Sequence, residues 1–222
     1  MKREAWFLCA SVVICCAVMA LVDGLWQPPY GVKSAVKVVL FLLIPLLLGK
    51  YLDLSPFSCL RPDKKAFLLG FGLGIGTVAV ILGGFRILSP WLDLSAIPAA
   101  LEENAGVTKD NFLYVSLYIA LCNSLLEEFF FRGFTFLSLK KLTSSPFAFC
   151  FSAAAFAVYH AAIMKGWFSP FLFLLTLAAL FGSGLFFNML NFRRERIWAS
   201  WLMHMGANLA INAIGMKLLG IF

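Results

Sequence analysis

Charge is what this chain has least of. Only 13% of its 222 residues are Asp, Glu, Lys or Arg, while 62% are hydrophobic and the mean hydropathy is +0.91. A soluble domain is about 45–50% apolar, so a soluble fold is excluded and the excess must face lipid. Acidic residues are scarcer than basic ones, 11 against 18, which leaves a net charge of +7. In a soluble protein that balance points to nucleic acid. Here the Lys and Arg lie mostly in short loops between apolar stretches, so membrane topology accounts for them and no nucleic-acid partner is expected. Paired C-x-x-C spacing is missing among the six cysteines, and so is H-E-x-x-H, which removes the common zinc motifs. The length suits one integral membrane domain over 1–222, not two.

What is present is a series of long apolar runs. A spanning helix needs roughly 20 largely apolar residues. Seven such spans are predicted, near 5–25, 34–52, 66–88, 111–139, 146–164, 168–191 and 196–215, giving an all-α transmembrane bundle with six to eight as the working range. The first run follows Lys2 and Arg3 and is long enough to span, so it reads as an uncleaved helix rather than a signal peptide. With the N-terminus in the cytoplasm, that side collects Lys2, Arg3, Lys50, Arg61, Lys64, Lys65, Lys140, Lys141, Arg193, Arg194 and Arg196. The other side has Lys33, Lys37, Arg86, Lys109, Lys165 and Lys217. This bias of 11 to 6 predicts an N-in topology. Residues 89–110 form the longest connection and read either as an interfacial segment or as a plain loop. Gly70, Gly72, Gly74 and Gly76 sit in a span without the strand a phosphate loop requires. They read as two small-xxx-small packing pairs, Gly70/Gly74 and Gly72/Gly76.

Against this background the ionisable groups inside apolar helices stand out, since a charge at the bilayer centre costs at least ~2.5–3.5 kcal/mol. The fourth span carries Glu127, Glu128 and Arg132. Glu128 and Arg132 are four residues apart and share a face. Glu127 points ~100° from Glu128 and ~140° from Arg132, so Arg132 neutralises Glu128 and Glu127 faces something else. The fifth span carries Phe156 and His160, and the seventh carries His204 and Asn208, each pair on one face. These are the only two histidines in the chain. At ~1.5 Å per residue from the assigned cytoplasmic ends, Glu127, His160, His204 and Asn208 lie ~20, ~21, ~12 and ~18 Å deep, so all four can meet at one level.

The ordered motifs Glu127-Glu128-x-x-x-Arg132, Phe156-x-x-x-His160 and His204-x-x-x-Asn208 resemble those of the CPBP family, the CAAX prenyl endopeptidases and bacteriocin-processing (Abi) proteins. The resemblance covers about 110–215, the expected catalytic core; the first three spans add nothing to it. It implies an intramembrane glutamic endopeptidase that needs no metal or other cofactor. Glu127 would be the general base, His160 would hold and polarise water, and His204 and Asn208 would donate to the oxyanion. Glu128, Arg132 and Phe156 would support them. The chemistry is sound in itself, because oxyanion donors gain strength where water is excluded. Ser124, three residues before Glu127, reads as helix packing, so water is the expected nucleophile.

Three other readings stay open on residues alone. One Glu and two His can ligate zinc, giving a zinc-dependent membrane protease. The fold can serve as a non-catalytic bacteriocin-immunity or binding protein. Glu and His chains also build proton relays in transporters, although no paired inverted repeats are present. The expected partners are the lipid bilayer and a membrane-associated peptide or protein, such as a sorting tail or a prenylated C-terminus. Short length and compact loops fit a bacterial inner membrane.

Overall fold

The computed structural model describes residues 3–164 and 166–221; Lys2 and Lys165, both counted in the charge bias, lie outside the described residues. Its regular structure is helical throughout. Among the described residues six helices are long and apolar enough to cross a membrane: α1 (Arg3–Trp26), α2 (Tyr30–Tyr51), α3 (Lys64–Trp91), α5 (Phe112–Leu142), α6 (Ser145–Ile163) and α7 (Pro170–Phe192). Between α3 and α5 lies the short α4 (Ile97–Ala105), closed by Gly106 in the left-handed region at φ 61°. The last helix, α8 (Trp198–Leu218), is 21 residues long and carries Ser200, His204, Asn208 and Asn212, which makes it more polar than the other long helices. One side of it is buried, with Ala199, Leu202, His204, Gly206 and Ala210 packed inward, while Leu209 and Ile211 are exposed. The chain is an integral membrane bundle.

Local chemistry sets the helix starts. Pro146 and Pro170 sit in the first turns of α6 and α7, where no backbone N–H is needed. Asp63 caps α3 by accepting from the Ala66 amide at 3.0 Å, and that amide holds its carboxyl below the usual carboxylate range. Pro29 immediately precedes Tyr30, so α2 begins at Tyr30, four residues before the expected 34. This corrects the charge reading. Lys33 and Lys37 are not loop charges on the outer side; both lie within α2 and are buried.

Helix association in lipid relies on close backbone approach, because lipid tails are as apolar as the helices. The tightest pair is α3 with α8. A Cβ on Gly70 would meet Ala199 Cα at 2.7 Å, one on Gly74 would meet the Leu202 carbonyl at 2.8 Å, and one on Gly206 would meet the Gly74 carbonyl at 2.7 Å. Gly72 and Gly76 meet nothing within 4 Å, so only the first of the two expected glycine pairs packs. α7 packs on α6 in the same way, with Gly184 against Ala153. α5 is the central helix: 44% of its apolar window is buried, against 11% for α7, whose apolar side chains face outward. Around α5 lies an aromatic core in which Phe41 of α2 stacks on Phe130 at 4.0 Å between ring centroids, with Phe131, Phe156 and Tyr159 packed beside them.

Candidate active site

α5 is not uniform. Its turns widen to the π-type over Ile119–Asn123 and again over Phe129–Phe136, on either side of the regular stretch Ser124–Glu128. Such turns often accompany functional sites because they re-aim side chains. Thr135 shows how the second is accommodated: its hydroxyl donates to the Phe130 carbonyl, five residues back, at 2.8 Å. Every residue from Leu126 to Leu139 is buried, so these charges are fixed on a helix with no lipid face in that stretch.

Glu128 and Arg132 form a sealed clasp. Both are 0% exposed, with Arg132 Nη1 3.1 Å from Glu128 Oε1. The N–H is not aligned on that oxygen, and Nε and Nη2 have no hydrogen-bond partner among the described residues. The guanidinium instead lies between rings, 4.1 Å from the Phe156 centroid and 4.8 Å from that of Phe187. Cation–π contact is worth about 2 kcal/mol or more when desolvated, so the rings supply much of what the missing hydrogen bonds do not.

Glu127 turns away from this clasp into a different setting. Its Oε1 accepts from Lys37 Nζ at 2.6 Å and from Asn123 Nδ2 at 2.9 Å. Lys37 also donates to Asn123 Oδ1 at 2.5 Å, which closes a three-membered ring of polar groups from α2 and α5. Its Oε2 faces both imidazoles, with His160 Nε2 at 3.8 Å and His204 Nε2 at 3.7 Å. Glu127, His160 and His204, from three helices, therefore converge on one site.

The far nitrogen of each ring is held by an acceptor. His160 Nδ1 lies 2.7 Å from the Phe156 carbonyl, which can only accept, so Nδ1 carries the hydrogen. His204 Nδ1 lies 3.0 Å from Glu128 Oε1 and donates to it. His160 then turns an unprotonated Nε2 toward Glu127, and His204 turns its Nε2 toward the same carboxylate oxygen. Phe156 packs edge-on to both rings, at 4.6 Å from His160 and 5.8 Å from His204. Glu128 thus has two roles, pairing Arg132 and orienting His204.

Asn208 sits one turn beyond His204 on α8. Its Nδ2 donates to the Ile119 carbonyl at 3.3 Å, a backbone group within the first widened turn of α5. That bond uses one of its two amide hydrogens. Ser124 accepts from Trp201 Nε1 at 3.1 Å and donates to the Ala120 carbonyl, a packing role.

Two residues of the site escape the sequence reading, Lys37 and Asn123. Asn123 lies four residues before Glu127, a signal available from spacing alone. Lys37 carries no local signal, since nothing near it shows which helix α2 will face. Its presence also bears on metal chemistry. Among the described residues no group of three His, Cys, Asp or Glu is spaced to hold a metal ion, and an ammonium 2.6 Å from Glu127 repels a dication. The donor set does not fit zinc.

Residues 109–210 match the family model described as Rce1-like, type II CAAX prenyl endopeptidase. The match takes in α5 through most of α8, and with them Glu127, His160, His204 and Asn208. Nothing matches among curated proteins or among solved structures.

Proposed function

We propose that this chain, similar over residues 109–210 to the type II CAAX prenyl endopeptidases, hydrolyses a peptide bond of a membrane-associated peptide or protein tail by attack of a water molecule held between Glu127 and the two histidines. That similarity supports an intramembrane protease; the residue roles are the reading argued here. The observation that carries it is the convergence of two Nε2 atoms on one carboxylate oxygen at 3.8 and 3.7 Å. A single water with hydrogen bonds of ~2.8 Å spans such a gap.

In this reading Glu127 Oε2 takes the water proton as the oxygen attacks the scissile carbonyl, and later passes it to the leaving amine. His160 accepts from the same water and orients its lone pair. His204, donating from an Nε2 that carries its hydrogen from the start, and the second amide hydrogen of Asn208 stabilise the oxyanion, where excluded water makes each donor count for more. Glu128 holds His204 in register, and Arg132 holds Glu128. The basic bias of the loops supports a cytoplasmic N-terminus, and the short length and compact loops support a bacterial inner membrane. There the substrate is a lipidated C-terminus or a membrane-anchored sorting tail.

The test uses the purified protein in lipid nanodiscs, with a farnesylated CAAX peptide and an unprenylated membrane-anchored tail as probes, read by mass spectrometry. Cleavage of either by wild type and not by Glu127→Gln supports the reading. Equal cleavage by both proteins, or by neither, overturns it. Cleavage that survives a chelator confirms that water is activated without a metal.

A further inference from the structure

The two oxygens of Glu127 are not equivalent. Oε1 is taken by Lys37 and Asn123, while Oε2 faces the histidines. A glutamate side chain has three torsions, and its last is broad and nearly two-fold, so an unrestrained carboxylate exchanges its oxygens freely. Here two donors from two helices hold one of them.

We propose that Lys37 and Asn123 are positioning residues that clamp Oε1 and make Oε2 the only oxygen presented to water; this rests on the protease reading above. Lys37 is well placed for the task because it is itself immobilised. It is 6% exposed, and its ammonium lies 4.9 Å from the Tyr159 ring centroid and 5.6 Å from that of Phe41. The turn that follows it, Val39–Leu43, is widened, as are the turns on both sides of Ser124–Glu128. One turn before it, Lys33 pairs with Asp23 of α1 at 3.4 Å, so the nearest other carboxylate on that side is already engaged. The clamp is also split across the chain. Asn123 falls within the family-matched region and Lys37 lies well before it, so the family match alone does not assign it.

A clamp and a simple structural ion pair predict different kinetics. Misplacing a catalytic group by about 1 Å can cost about 100-fold in rate without weakening substrate binding. With the peptide probe that wild type cleaves, Lys37→Met is expected to lower kcat by about 10- to 100-fold and leave KM unchanged. Lys37→Arg is expected to restore part of kcat, because it keeps a cation beside Oε1. Asn123→Ala removes one bond to Oε1 and no charge, and is expected to lower kcat by about tenfold with the same KM. It keeps the test open if Lys37→Met fails to fold.

A second readout needs no substrate. The infrared difference between wild type and Glu127→Gln isolates the Glu127 carboxylate stretch. Lys37→Met and Asn123→Ala are expected to move that band, because the inequivalence of the two oxygens is lost. An unmoved band overturns the clamp, as does wild-type kcat in both variants while Glu127→Gln is inactive; the protease reading then stands. Absence of Glu127-dependent cleavage defeats the protease reading instead, and the infrared band still shows whether Oε1 is held.

Discussion

Glu127 and Glu128 are neighbours on α5, yet their carboxylates are neutralised in different ways. Glu128 is 0% exposed and held by Arg132 and His204, with the Arg132 guanidinium packed on the rings of Phe156 and Phe187. Glu127 is paired on one oxygen and left facing two imidazole ring nitrogens on the other. A pair enclosed from solvent, even with Glu128 Oε2 and the guanidinium nitrogens left without hydrogen-bond partners among the described residues, is a fastener. A buried carboxylate with one oxygen turned toward two imidazoles suits the proposed chemistry. Burial alone does not separate them, since Glu127 is only 2% exposed; the arrangement of partners does.

The largest effects should divide along that line. Glu127→Gln keeps hydrogen bonds to Lys37 and Asn123 but cannot accept a proton, so cleavage should fall by about 10²–10⁴-fold while helical circular dichroism is retained. Arg132→Met strands Glu128 and should lower stability by about 3–5 kcal/mol, read as thermal unfolding in detergent. The double variant Glu128→Gln/Arg132→Met should recover much of that loss. If Arg132→Met melted like wild type and only cleavage suffered, the clasp would belong to the chemistry and the contrast would collapse.

His204 is where the two settings touch, because its Nδ1 serves Glu128 and its Nε2 faces Glu127. Loss of one oxyanion donor costs about 10²–10³-fold in kcat. His204→Ala should show a loss of that size, and Glu128→Gln a smaller one through a misoriented ring, with KM little changed in both. Equal losses in the two variants would mean that orientation by Glu128 is the whole of what His204 needs.

How much of this was legible in the sequence follows from what each signal depends on. Apolar runs report span number within the expected six to eight, because every spanning helix must be long enough to cross the lipid. The motif residues were legible because spacing of four places them on a common face. Lys37 was not: a lysine near the edge of an apolar run reads as a topological charge, and only the packing of α2 against α5 and α6 shows that it turns inward. The start of α2 at Tyr30 was missed for a related reason, since hydropathy marks where lipid begins and Pro29 marks where the helix does. The widened turns of α5 have no sequence signature, and they help set which way Asn123 and Glu127 point.

A smaller effect extends the comparison from charges to packing. Gly70 and Gly74 press on α8, while Gly72 and Gly76 on the same helix face open space. Gly74→Ala places a Cβ 2.8 Å from the Leu202 carbonyl and should cost about 1–3 kcal/mol as α8 is pushed away. Because α8 carries His204, cleavage should weaken with it. Gly72→Ala should stay within about ±0.5 kcal/mol of wild type. Equal effects at the two positions would mean that helix flexibility, not the close approach, is what the glycines provide.

The smallest effect belongs to a charge at the rim. Asp63 caps α3 and lies 3.2 Å from Arg194, with a side chain 19% exposed against 0% for Glu128. Water and salt screen such a pair, so its contribution is slight. The sign is still definite. The Ala66 amide stabilises the ionised form and holds the Asp63 carboxyl below its unfolded value. Its contribution is therefore fully present above the ordinary Asp range and is lost as pH falls through the lowered folded value. Wild type should melt slightly above Asp63→Asn near neutral pH, and the gap should close in acid and shrink with added salt. A gap that ignored salt would show that the amide cap, not the arginine, carries what little Asp63 adds. The rim would then differ from the buried clasp in kind as well as in depth.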